Sequence, residues 1–220
     1  MSATGLRRPY LRGWSHALSI APAVAATIVL VVLARDDRGR QLGLLVYGLT
    51  SVLLFSISAV YHIGTWSPST RAALRRLDHT NIFLLIAGTY TPVTVTVLDG
   101  AWRISILAAV WALALLGILL TVVAMHRVPR SALTLCYLAQ GWVALVALPK
   151  IGGAVGWGGL AFLLGGGLLY SLGACTYAVQ RPRLWPRFFG YHEVFHLLVI
   201  AANTVFFLFM LLRIVPYGHG

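Results

Sequence analysis

The chain has 220 residues, 59% of them hydrophobic and 10% charged, with a mean hydropathy of +0.85. So few charges cannot cover a water-facing surface, which excludes a soluble globular domain and points to an integral membrane protein. The formal charge of +12 lies between apolar runs, with no basic patch interleaved with aromatics; it reads as a topology signal, with no nucleic-acid partner.

In chain order, the opening RRPYLRGW resembles the charged start of a signal peptide. The apolar run behind it is longer than a signal core, and more runs follow, so it reads as a retained first span. Seven spans are predicted, at about 14–33, 42–62, 80–98, 104–125, 132–148, 157–179 and 192–215. The expected fold is all-α: an integral membrane bundle of seven transmembrane helices forming one domain, residues 1–220. The third span carries Tyr90, Thr91 and Pro92; Pro92 predicts a kink, with Thr91 re-satisfying the backbone. The fifth is the weakest, with Gln140 near its middle. The sixth is rich in glycine, which suits close helix packing in lipid. Cys136 and Cys175 lack CxxC spacing and read as packing residues.

Lys and Arg set the orientation. Arg7, Arg8, Arg12, Arg71, Arg75, Arg76, Arg127, Arg130, Arg181, Arg183 and Arg187 fall on one side. Arg35, Arg38, Arg40, Arg103, Lys150 and Arg213 fall on the other. The richer side predicts a multi-pass protein of the cell membrane with the N-terminus cytoplasmic and the C-terminus outside.

The unusual polar residues gather at one end. His62 ends the second span, Asp78 sits just before the third, and His192 and His196 open the seventh. The end of an even span and the start of an odd one share a membrane side. All four therefore belong to one layer, whichever way the bundle faces. His192 and His196 are four apart, so both rings project from one stripe, with Asn203 deeper on it. Ser58 is four residues before His62. Three imidazoles from two helices make a normal ligand set for catalytic Zn²⁺, leaving a fourth position for water. Asp78 would offset charge near hydrocarbon, although a helix N-cap is its alternative role. Read locally, HEVFH also matches HExxH, the zinc-protease signature. Glu193 reads as favouring a helix N-terminus, and His79 as a boundary residue. His16, His126 and His219, at ends and edges, are assigned no role.

The segments SAVYHIG, LDHTNIFLLIAGTYTPV and GYHEVFHLLVIAANT, in that order, resemble the hemolysin III family. These are bacterial relatives of the adiponectin-receptor-like (PAQR) membrane proteins, and the resemblance covers nearly the whole chain. It implies a heptahelical fold with a cytoplasmic N-terminus. It implies a zinc ion held near the cytoplasmic side by His62, His192 and His196, with Ser58 beside it and Asp78 contacting the zinc-bound water. The wider superfamily includes alkaline ceramidases, which suggests hydrolysis of a lipid amide held in a cavity within the bundle. In that mechanism Asp78 is the general base and acid, and Ser58 donates to the developing oxyanion. Two alternatives stand: a receptor-like or pore-forming (hemolysin-type) protein with a structural zinc, and an intramembrane metalloprotease with Glu193 as its base.

Overall fold

A computed structural model describes residues 9–185 and 187–218. Arg7 and Arg8 of the charge count, and His219, lie outside the described residues. The helices are α1 (Trp14–Leu33), α2 (Arg38–Ile63), α3 (Pro68–Val97), α4 (Gly100–Ala124), α5 (Arg130–Gly141), α6 (Ala144–Val179) and α7 (Tyr191–Phe209). A π-helical turn, Met210–Ile214, continues α7. Among the described residues there is no β-strand, only an isolated bridge between Trp185 and Phe189. Among the described residues six helical stretches are long and apolar enough to cross a membrane, the fifth being Arg130–Val179 with 50 residues. Their outward faces carry apolar side chains such as Ile104, Leu115 and Val123, as a lipid-facing surface requires.

The 50-residue stretch is not one rod. Gly156 has φ 69° and ψ 178°, a conformation open to glycine and strained for other residues. Across it, Trp142 Nε1 donates to Ser171 Oγ at 3.0 Å, although 29 positions separate them. In a straight helix that separation spans about 44 Å, at 1.5 Å per residue. The chain therefore folds back at Gly156, and its two arms pack antiparallel.

A second interruption, between α5 and α6, lies in the predicted fifth span. Tyr90 bridges it: its hydroxyl donates to Gly141 O at 2.7 Å and accepts from Ala144 N–H at 2.6 Å. Backbone groups freed inside a membrane need such partners. Gln140, the polar residue that weakens this span, donates through Nε2 to Phe83 O (3.2 Å) and Val110 O (3.1 Å). It ties α5 to α3 and α4.

Helix α3 begins at Pro68, well before the predicted start of its span. Ser67 caps it by accepting from Thr70 N–H, and Pro68 is pre-set for the first turn. The arginine-rich segment before Asp78 is thus helical, and α3 then runs uninterrupted through Pro92. Thr91 Oγ1 donates to Ala87 O at 2.8 Å, so it does not reach Gly88 O, the acceptor that Pro92 leaves without its helical donor. Gly43 allows α2 and α3 to touch: a Cβ there would lie 2.8 Å from Pro92 Cα.

Gly166 and Gly173 of α6 face α7. A Cβ on Gly166 would lie 2.6 Å from the Phe206 ring, and one on Gly173 would lie 3.4 Å from Phe195 and Leu198. Helix α1 packs on both α2 and α7, and Asn203 bonds α7 to Ser51 and Tyr47 of α2. Beneath that junction Leu54, Phe55, Leu85 and Val199 form a buried cluster.

Candidate metal centre

His62 is the penultimate residue of α2, and His192 and His196 lie on the first two turns of α7. All three are buried. One ring nitrogen from each lies within 4.8 Å of the others. The Nε2 atoms of His62 and His192 are 3.0 Å apart. Two imidazole nitrogens meet so closely when one carries a proton or when they share a cation. His196 Nδ1 is buried with no hydrogen-bond partner. Three converging imidazoles and an unpartnered ring nitrogen fit a bound metal ion in their donor set and spacing.

Asp78 and Ser58 lie at the same junction. Asp78 Oδ2 is 3.8 Å from His62 Nε2 and 3.6 Å from His79 Nδ1. Its position corrects the N-cap alternative: Ser67 caps α3, and Asp78 lies within the helix, three turns in. The buried Ser58 hydroxyl, one turn before His62, faces the Asp78 carboxyl group.

A cavity of about 120 Å³ opens from this cluster into the bundle. His16, Ser58, Asp78, His192 and His196 line it together. Leu54, Ile82, Leu85, Ile86, Val199 and Phe206 also line it, so these polar groups open onto a largely apolar chamber.

The haemolysin-III related family model matches residues 4–207. The chain belongs to the haemolysin-III related family. It is 31% identical to Hemolysin-3 of Bacillus cereus over 204 residues, covering 92% of this chain and 90% of that protein. It is 28% identical to the Hemolysin-3 homolog of Bacillus subtilis (strain 168), covering 88% of each. It is 26% identical to the human Monocyte to macrophage differentiation factor, over 87% of this chain and 78% of the relative. The family match includes every histidine of the cluster and both Ser58 and Asp78.

Other polar residues of this haemolysin-III related protein have structural partners. Arg12 Nε donates to Glu193 Oε1 at 2.8 Å, and Gly190 N–H donates to Glu193 Oε2 at 2.7 Å. Glu193 thus fixes the start of α7 with both oxygens, as a first-turn acid does. His79 donates through Nδ1 to Arg75 O at 2.9 Å, and its Nε2 accepts from Tyr177 at 3.0 Å. Asn203 donates to Ser51 Oγ at 2.9 Å, and its backbone carbonyl accepts from Tyr47 at 3.0 Å; it ties α7 to α2.

The sequence reading misses His16. The ring is 2% exposed and stacks on His196, with centroids 3.9 Å apart and planes 10° from parallel. The signal was present. His16 opens the first span, and the rule that puts the starts of odd spans in one layer places it with His192 and His196.

Proposed function

We propose that this protein is a zinc-dependent intramembrane hydrolase of a lipid amide, built on seven spans with the N-terminus cytoplasmic and the C-terminus outside. One observation carries the chemistry: His62, His192 and His196 converge beside Asp78 and Ser58 at a largely apolar cavity. Those three imidazoles would hold the ion. When bound, zinc supplies Lewis acidity, which polarises a carbonyl and activates water near neutral pH. Asp78 Oδ2 accepts the proton of the attacking water and returns it to the leaving amine nitrogen. The Ser58 hydroxyl donates to the carbonyl oxygen as negative charge develops there. The apolar lining receives an acyl chain and excludes water from the rest of the chamber.

The fold-back at Gly156 supports counting Arg130–Val179 as two crossings, which gives seven and puts the termini on opposite sides. The excess of arginine on one set of connectors supports a cytoplasmic N-terminus. Glu193 does not support the protease reading, because both its oxygens are already engaged.

The test is a turnover assay on purified protein with a fluorescent N-acyl sphingosine, alongside a zinc determination. Wild type is expected to release fatty acid and amine, and Asp78→Asn to keep zinc and lose turnover. Zinc-loaded, folded wild type that cleaves no amide lipid, and unfolds when zinc is removed, would instead leave the ion a structural role.

A further inference from the structure

We infer that His16 is a working member of this site: a positioning residue that braces the His196 ring and donates a hydrogen bond to the oxygen or small anion held beside the ion. The inference rests on the metal-centre reading and extends it to a residue on a third helix.

Three observations carry it. First, His16 is 2% exposed, and neither ring nitrogen has a hydrogen-bond partner; the backbone of His196 lies close without meeting hydrogen-bond geometry. A neutral imidazole always carries one N–H, and a buried donor is rarely left unpaired. Second, the ring lines the same cavity as Ser58, Asp78, His192 and His196. Whatever enters that cavity beside them meets it. Third, the ring stacks on His196 at 3.9 Å with planes 10° from parallel, and packs against Phe55 at 5.1 Å.

The stacking also says what His16 does not do. An imidazole ligates through a lone pair in its ring plane. The in-plane lone pairs of two stacked rings run parallel and do not converge on one point, so His16 would not share an ion that His196 held. Among the described residues, the converging set holds His62, His192 and His196 without His16. His16 would thus stand beside an ion held by those three residues and would not ligate it. The ligand class that suits it is a carbonyl oxygen, a carboxylate or a small anion, each of which accepts from an N–H.

The probe is azide, a small anion that takes an open metal position and accepts hydrogen bonds. Protein loaded with Co²⁺ is titrated with azide and followed by its visible absorption. Wild type is expected to bind one Co²⁺ per chain and to bind azide with a clear spectral change. His16→Phe keeps a stacked ring and removes the N–H; it should keep the cobalt and bind azide about tenfold more weakly, the cost of one lost hydrogen bond. His16→Gln, which keeps an N–H donor, should recover most of that loss. His16→Leu serves the same purpose as the Phe variant should the larger ring disturb packing. Equal azide affinity in wild type and the donor-free variants overturns the inference. Loss of cobalt in His16→Phe, which keeps the stacked ring, overturns it too, by making His16 a ligand. Wild type that takes up no cobalt fails one step earlier, at the metal centre itself.

Discussion

The Nε2 atoms of His62 and His192 face each other at 3.0 Å, although the two residues lie 130 positions apart in the chain. Nothing local brings them together; α7 is tied to α2 by the bonds of Asn203 to Ser51 and Tyr47, by the buried cluster of Leu54, Phe55, Leu85 and Val199, and by α1, which packs on both helices. If a metal ion joins them, it also joins α2 to α7. Chelation should therefore lower the thermal midpoint of wild type, and zinc should restore it. An ion at a thousandfold excess over its dissociation constant stabilises a fold by about 4 kcal/mol. In His62→Ala the midpoint should no longer respond to chelator. Differential scanning fluorimetry in detergent reads both.

Asp78 lies close enough to His62 to act on the ion's surroundings, yet it is not one of the converging nitrogen donors. Asp78→Asn should keep its zinc and lose amide hydrolysis by a factor on the order of 10² to 10⁴, the range for a lost general acid–base. Measuring turnover and zinc on the same preparation checks this. A variant that keeps full turnover removes Asp78 from the chemistry.

Glu193 predicts the opposite pattern. Glu193→Gln weakens the contact with Arg12 and the tie to Gly190, at a cost of about 1–3 kcal/mol for charge-assisted hydrogen bonds. Hydrolysis should continue at temperatures where the variant stays folded. A folded, zinc-loaded and inactive Glu193→Gln would revive the protease-like reading.

Tyr90 bears on the broken helix beside the cavity. Tyr90→Phe leaves Gly141 O and Ala144 N–H without the hydroxyl that bridges them. The expected cost is about 1–3 kcal/mol, seen as a lower thermal midpoint with zinc content unchanged.

Much of the site is legible in the sequence because counting spans is enough to sort polar residues into layers. His62, Asp78, His192 and His196 separate cleanly on that rule, and Ser58 follows from its four-residue spacing. His16 obeys the same rule, but at a span end it reads as an edge residue with no role. Its stacking on His196 depends on how α1 leans against α7, which no periodicity records. The helix starts were harder to see. Hydropathy marks where α3 becomes apolar, whereas Ser67 and Pro68 mark where it becomes helical, and the arginines between hide the helix. The interruption after Gly141 was equally hidden, because the Tyr90 hydroxyl that satisfies it comes from another helix.

The central claim is that three imidazoles from α2 and α7 share one ion. Elemental analysis of metal in purified wild type and His62→Ala tests it most directly. The account predicts close to one zinc per wild-type chain and almost none in a folded His62→Ala chain. Equal zinc in the two, or a folded wild type that takes up none when zinc is supplied, would contradict it.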